Sequence, residues 1–145
     1  MQIVHSPANY NQITKSIWIG NNMCCAIHGK ELLSLGFDVD IDLEDQRPEE
    51  PPHTKIYLWL PTLDHTPPTQ EQLHTGVAAL AEMVNRGLKV YVHCHNGHGR
   101  APTLVAAYLI TTGLNAEAAI GLIKAKRPAI HLQEAQKQAL REFEI

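Results

Sequence analysis

The chain has 145 residues, 44% of them hydrophobic, so it is long enough to bury one sizeable core and too short for two. Charged residues make up 19% and are mixed in sign, which excludes a disordered chain. The formal net charge of −3 favours neither nucleic acid nor an anionic membrane as the main partner, so an anion that binds this protein needs a local site.

The first half of the chain alternates strand patterns with helix patterns. In order, it predicts a strand (13–20), a short helix (25–35), a strand (37–43), a proline-containing loop (44–53) and a strand (55–60). The second strand, FDVDIDL, alternates apolar and acidic residues, which is typical of a half-buried strand. The third, KIYLWL, is a short apolar run that Pro61 ends, which favours a buried strand.

The second half contains one further strand and four helices. Thr69 and Gln72 have the spacing of a capping box, and they open a helix that ends at Arg86 and Gly87. There follow a strand (88–93), an apolar helix (101–113), a helix from the cap Asn115 to Lys126, and a last helix (132–143). Strands interleaved with helices, then three helices in succession, predict an α/β fold with a central, mostly parallel sheet of about four to five strands flanked by helices.

The stretch VHCHNGHGRAP, residues 92–102, places the end of a buried strand, a turn with two glycines and an apolar helix in immediate succession. The first amides of a helix have no partners within it, and a glycine-containing turn lets the preceding amides converge on the same point. This arrangement predicts a phosphate site. Its predicted phosphate-binding residues are His95, Asn96, Gly97, His98, Gly99 and Arg100.

Cys94 lies at the end of the strand, and Arg100 follows after five residues. A loop curled between them places the sulfur and the guanidinium around a single tetrahedral dianion, with Arg100 bound to two of its oxygens. The loop amides, the helix dipole and Arg100 also stabilise the thiolate, which is the nucleophilic form of cysteine. We therefore predict Cys94 as nucleophile and Arg100 as phosphate clamp; the alternative for Cys94 is a buried structural thiol.

The pattern His93-Cys94-x5-Arg100 after a strand resembles the signature loop of the protein tyrosine and dual-specificity phosphatases. Two further segments are similar to motifs of the small dual-specificity members: Pro61-x-x-Asp64-x-x-Pro67-Pro68, and Lys126-Arg127-Pro128 with Gln136. The resemblance covers residues 13–143. It implies the fold of that family, Asp64 as general acid, a cysteinyl-phosphate intermediate, and no metal or organic cofactor.

Two features of the loop depart from the usual family pattern. Members usually carry Ser or Thr after the arginine, where the hydroxyl assists the departing thiolate, whereas this chain has Ala101; its Arg-Ala-Pro sequence resembles the loop variant of the phosphatases of regenerating liver. We also predict that His93 supports the loop or the thiolate by a hydrogen bond, unless it is simply packed in the core. The second departure is the pair His95 and His98 inside the loop, where family members vary widely; these histidines are predicted to influence the choice of substrate.

Several residues have simpler explanations. An aspartate in a proline-containing loop, such as Asp64, is often only a turn former. His93, Cys94, His95 and His98 resemble a metal cluster, but strand alternation sends His93 and His95 away from Cys94, so we predict no metal site. Three further residues, Lys124, Lys126 and Arg127, are predicted to be cations favoured at a helix C-terminus.

The compartment follows from the N-terminus and the cysteines. Residues 1–12 have neither a basic start nor a signal-peptide core, and no run approaches the ~20 apolar residues of a membrane span. Three cysteines make a poor disulfide framework, and Cys24 and Cys25 are either a redox partner for Cys94 or two small core residues. We expect one soluble, cytoplasmic domain over residues 1–145; the sequence does not indicate its oligomeric state.

Beyond Arg100 the loop contains no Lys or Arg, which argues against polyphosphorylated lipids as substrates. We therefore expect a phosphatase that acts on phosphorylated tyrosine, serine and threonine in proteins. Two alternatives remain at this point: a phosphatase that acts on RNA 5′-phosphates or small phosphoesters, and a phosphate-binding pseudophosphatase or scaffold.

Overall fold

The computed structural model describes residues 9–22, 26–46 and 54–144, without the side chains of residues 26–29. Cys24, Cys25 and most of the predicted 44–53 loop lie outside these residues. The described elements are β1 (Tyr10–Gln12), β2 (Ile17–Gly20), α1 (Ala26–Ser34), β3 (Val39–Glu44), β4 (Ile56–Thr62), α2 (Gln70–Asn85), β5 (Val90–His93), α3 (Arg100–Thr111), α4 (Ala116–Lys126) and α5 (Glu134–Phe143).

The five described strands form one sheet in the order β1-β2-β5-β3-β4. β5 pairs in parallel with β2 on one side and with β3 on the other, β4 adds in parallel to β3, and only β1 is antiparallel to its neighbour. The predicted α/β fold with a mostly parallel sheet is therefore confirmed. Because the parallel strands end at one edge, the segments that follow β2, β3, β4 and β5 meet there.

The two faces of the sheet differ in character. Alternate residues such as Ile41, Val90 and Val92 join the main hydrophobic core, which α2 to α5 complete. The opposite face carries a smaller cluster of Leu32, Phe37 and Tyr91. The alternation of β3 thus holds, but its interpretation as a half-buried strand is wrong, since all six residues of β3 are buried on two covered faces.

The helix signals near residue 70 and residue 115 are confirmed. The Thr69 hydroxyl accepts from Gln72 N while the Gln72 side chain accepts from Thr69 N, and Asn115 Oδ1 accepts from Ala118 N at 2.8 Å. No helix among the described residues has the length and apolar character needed to cross a bilayer.

Two strand predictions need correction. The segment 13–20 is not one strand, because only Ile17–Gly20 joins the sheet and the short β1 precedes it. The other correction is Pro61, which does not end β4, since the strand continues to Thr62. β4 is an edge strand, where a residue without an N–H leaves no ladder bond unmade. The prediction that this segment is a buried strand is also wrong, since Ile56 and Trp59 are exposed.

Candidate active site

The predicted phosphate loop, residues 94–100, connects the end of β5 to the start of α3. Cys94 follows β5 directly and is 3% exposed. Gly99 is the N-cap of α3 and supplies no side-chain acceptor, so the first amides of this helix are left for a ligand. Cys94 lines a pocket that is also lined by Asp64, Arg100, His131 and four residues of the loop, His95, Asn96, His98 and Gly99.

Four successive carbonyls of the loop, those of residues 95–98, are hydrogen-bonded outside it. Their donors are Asn22 N to His95 O (3.1 Å), Arg127 Nη2 to Asn96 O (3.0 Å), Arg127 Nε to Gly97 O (2.9 Å) and His131 N to His98 O (2.7 Å). In a trans peptide the N–H points opposite to the C=O. Fixing these carbonyls outward therefore turns the amides of residues 96–99 toward the inside of the loop.

Gly97 occupies a position that no other residue fits. Its φ is +72°, in the left-handed region. A Cβ there would lie 2.5 Å from Gly20 O and 2.9 Å from Arg127 Nη2. The loop consequently lies directly against the end of β2, and this close approach depends on the missing side chain.

Arg100 is 1% exposed, and its guanidinium is held through the terminal nitrogen Nη1. Nη1 donates to Thr62 O at 2.8 Å and also lies 3.4 Å from Asp45 Oδ1 and 3.3 Å from Gln46 Oε1. Among the described residues, Nε has no hydrogen-bond partner although it is buried. The guanidinium is thus anchored at one corner, and its Nε and Nη2 edge is available for two oxygens of one anion.

Asp64 lies in the loop that follows β4, and its side chain is half-exposed at the pocket mouth. Its Oδ1 is 3.5 Å from Arg100 Nη2 and accepts from His65 N at 2.9 Å. His65 has a φ of +66°, and its Nε2 lies 3.6 Å from Asp64 Oδ2. The structure therefore brings Asp64, Cys94 and Arg100 to one pocket.

His93 is fully buried on the sheet face opposite the main core. Its Nε2 lies 2.8 Å from Asp40 Oδ1, and its Nδ1 lies 3.9 Å from Asp42 Oδ1. Burial raises the pKa of Asp42, and the positive charge of His93 opposes that shift. Asp42 also accepts from Tyr57 Oη at 2.7 Å. These contacts connect the residue before Cys94 to the acidic side chains of β3.

The remaining histidines of the loop, His95 and His98, are exposed at the pocket. His95 Nδ1 is 3.8 Å from Glu44 Oε1 and 3.4 Å from Asn22 Nδ2. Burial, with the positive charges of Arg127 and His131, lowers the pKa of His98, which favours its neutral form at pH 7. Both histidines line the pocket, where they can contact the group to which a bound phosphate is esterified.

Within the described chain, one group has the geometry to hold a metal ion: Asp42, Glu44 and His93, which are buried with ligand atoms within 4.8 Å of one another. Only His93 belongs also to the metal cluster weighed from the sequence. Asp42 is bonded to Tyr57 and to Glu44 N, which accounts for its oxygens without an ion.

Four parts of the site named above were not predicted from the sequence: the carbonyl of Thr62, the amides of Asn22 and His131, and Arg127. Lys124 and Lys126 do lie in the last turn of α4, as expected for helix-end cations. Arg127, by contrast, is 1% exposed and bonds to the phosphate loop. Ala101 is also fully buried, in the first turn of α3, and the Thr103 hydroxyl nearby donates to Gly99 O at 2.7 Å.

Comparison with known proteins gives a family-level match. The family model described as "Dual specificity phosphatase, catalytic domain" matches residues 17–145. The phosphatidylglycerophosphatase and protein-tyrosine phosphatase 1 of Rattus norvegicus is 41% identical over 88 residues, which cover 59% of this chain and 46% of the rat protein. Laforin of Mus musculus is 37% identical over 90 residues, which cover 60% of this chain and 27% of laforin.

Among solved structures, that of PTPMT1 in complex with PI(5)P superposes with a TM-score of 0.83 at 28% identity. The superposition covers 93% of this chain and 94% of that one. The alignments with the two curated relatives span less than half of either relative's length.

Proposed function

The chain belongs to the dual-specificity phosphatase family, and we propose that it hydrolyses phosphate monoesters through a cysteinyl-phosphate intermediate. The observation that carries this proposal is the convergence of four loop amides, the α3 N-terminus and the Nε edge of Arg100 on the pocket that Cys94 lines. These donors suit a tetrahedral dianion and the trigonal-bipyramidal transition state that follows from it.

In the first step the Cys94 thiolate attacks phosphorus in line with the ester oxygen. The S–P bond forms as the P–O bond breaks, and the proton of the Asp64 carboxyl passes to the departing oxygen. Arg100 stabilises two of the three equatorial oxygens through Nε and Nη2, while the amides of residues 96–99 donate to the three equatorial oxygens. Asp64 lines the same pocket and is half-exposed, so we expect it to stand beside the departing oxygen.

In the second step water attacks the phosphocysteine, and Asp64, now ionised, accepts the proton of that water. The S–P bond breaks and the thiolate of Cys94 returns. Because position 101 is alanine, no hydroxyl from that residue donates to the departing sulfur. We expect this second step to be the slower one.

For the substrate, we propose phosphorylated tyrosine, serine and threonine of proteins, because Arg100 is the only Lys or Arg among the described residues that line the pocket. A phospholipid headgroup is the second candidate. It is favoured by the relatives named above, one of which is called a phosphatidylglycerophosphatase and another of which was solved with PI(5)P.

The test is hydrolysis of an aryl phosphate by the wild-type protein and by Cys94→Ser. We expect turnover by the wild type and none by the variant, while both bind phosphate. Equal rates in the two proteins, or phosphate binding without turnover in either, would contradict the proposed enzyme activity and favour a pseudophosphatase. A panel of phosphopeptides, phosphatidylglycerophosphate, phosphoinositides and 5′-phosphorylated RNA then ranks kcat/KM among the substrate classes.

A further inference from the structure

Arg127 is a buried arginine that joins distant parts of the chain. It follows the last turn of α4 and is 1% exposed. Its Nη1 donates to Asn9 Oδ1 at 2.8 Å and to Asn11 Oδ1 at 2.7 Å, while Nε and Nη2 donate to Gly97 O and Asn96 O of the phosphate loop. The guanidinium therefore ties the loop to the N-terminal strand β1.

The four acceptors of Arg127 are amide or peptide oxygens, and none of them is a carboxylate. Its positive charge is thus not neutralised by these contacts, although burying a cation is costly. Burial lowers the pKa of Arg127, whereas negative charge on Tyr91 or Cys94 raises it. The buried cation therefore depends on these four hydrogen bonds, two of which go to the phosphate loop.

The two loop contacts have a directional effect. The peptide that carries Asn96 O also carries the amide of Gly97, and the peptide that carries Gly97 O also carries the amide of His98. Because the two oxygens are held on one guanidinium, both amides are held pointing the opposite way, into the pocket. The left-handed φ of Gly97 gives the chain the turn this requires.

We propose that Arg127 is a positioning residue for the dephosphorylation reaction: its planar fork fixes the two central peptides of the phosphate loop so that their amides meet the phosphate. The hydrogen bonds of its guanidinium go to the loop and to the N-terminal segment, so it acts through the loop. The proposal rests on the proposed function for its catalytic consequence. Its binding consequence is independent of turnover.

The experiment compares Arg127→Lys with Arg127→Met. Lysine keeps the charge but has one ammonium in place of a planar fork, so it cannot hold both carbonyls and both asparagines. Loss of alignment at one amide weakens anion binding about tenfold, the effect of one hydrogen bond. We expect inhibition by vanadate to weaken about tenfold in Arg127→Lys and about a hundredfold in Arg127→Met.

Protection of Cys94 from iodoacetate by phosphate gives a second measure of anion binding by the loop. We expect the phosphate concentration that halves the alkylation rate to rise about tenfold in Arg127→Lys and about a hundredfold in Arg127→Met. Two control variants are Arg141→Met, which removes a surface arginine bonded to Glu134, and Val77→Ala, which lowers stability from the α2 core. Both controls should keep wild-type vanadate inhibition and wild-type protection of Cys94 by phosphate.

If Arg127→Met does not fold, Asn11→Ala removes one of the two anchors on the far side of the guanidinium. A weakening of vanadate inhibition by about threefold or more in Asn11→Ala, at temperatures where it is folded, supports the proposal. Vanadate inhibition within twofold of wild type in both Arg127→Lys and Asn11→Ala overturns it. So does an equal weakening in Val77→Ala, which would assign the effect to stability.

The experiments distinguish failure of the proposed phosphatase activity from failure of the positioning role of Arg127. If the wild-type protein binds vanadate but hydrolyses no phosphate monoester, the proposed phosphatase activity is refuted. Vanadate binding, measured directly by calorimetry, still tests the role of Arg127 in that case. Conversely, full turnover in Arg127→Lys with unchanged vanadate inhibition removes Arg127 from its positioning role and leaves the phosphatase intact.

Discussion

The substitution Gly97→Ala tests the close packing of the phosphate loop against the end of β2. The new Cβ would stand 2.5 Å from Gly20 O, so the two must separate by about 0.9 Å to reach ordinary contact. Gly20 has little freedom to retreat, since its own Cα faces Tyr91 so closely that a Cβ there would be 2.1 Å from Tyr91 Oη. The phosphate loop is therefore the part that moves.

The expected cost has two parts. A side chain in the left-handed region costs about 1–2 kcal/mol, and overpacking against fixed backbone adds about 1–3 kcal/mol. A total of roughly 2–5 kcal/mol lowers the Tm of a domain of this size by roughly 5–15 °C. A displacement near 1 Å among catalytic groups also costs about a hundredfold in rate, so we expect kcat/KM to fall by that factor or more.

Gly87 provides a matched control, because its φ is also +72° but a Cβ there meets nothing within 4 Å. Gly87→Ala should therefore show only the left-handed cost, a Tm loss of a few degrees, with unchanged kcat/KM. The assays are thermal unfolding, aryl phosphate hydrolysis and vanadate inhibition of both variants. If Gly97→Ala loses no more stability than Gly87→Ala and keeps kcat/KM within threefold, the packing argument is wrong.

Four other predictions concern single groups. Asp64→Asn should reduce kcat/KM more for alkyl phosphates than for nitrophenyl phosphate, and equal losses across a leaving-group series would exclude Asp64 as general acid. Ala101→Ser should raise kcat about tenfold with a smaller change in kcat/KM, which pre-steady-state bursts of phenol would show; no burst in the wild type and no gain in kcat would refute it. Phosphate should protect Cys94 from alkylation by iodoacetate; an equal alkylation rate with and without phosphate would refute the proposed environment. The hydrogen bond from Lys89 N, together with Lys55, lowers the pKa of Asp38, so the ionised Asp38 stabilises the fold fully above pH ~4 and this stabilisation is lost as the pH falls through the pKa of the folded state. Asp38→Asn should therefore have a lower Tm than wild type at pH 7 and the wild-type Tm below pH 3. A Tm difference that stays constant with pH would contradict this.

The parts of the site that sequence predicted are local in the chain. Cys94, the two loop glycines and Arg100 lie within seven residues, where strand end, turn and helix start follow directly from residue types. The position of Asp64 beside Arg100 was implied only by family resemblance, because the two elements that carry them meet through the sheet. Their 3.5 Å separation depends on β4 and β5 ending at the same edge.

The parts that were missed depend on long-range contacts or on burial. Arg127 has the sequence context of a helix-end cation, and nothing local shows that residues 9, 11, 96 and 97 surround it. The acidic residues of β3 alternate as solvent-facing residues do, yet Asp40 and Asp42 lie against His93 because a second layer covers that face. The alternation of residue types along β3 shows that the strand has two different faces. Whether water or another layer of the protein covers the acidic face depends on the whole fold.

The anchoring of Arg127 to the N-terminal segment and to the phosphate loop has a consequence for biosynthesis. A nascent chain halted near residue 115 already contains Cys94, Asp64 and Arg100, but it lacks the arginine that joins residues 96 and 97 to Asn9 and Asn11. During synthesis the thiol therefore has no assembled phosphate loop around it and stays closer to an ordinary cysteine in reactivity. We therefore expect the proposed reactivity to arise late, after the segment that follows α4 has been synthesised and has docked against the loop.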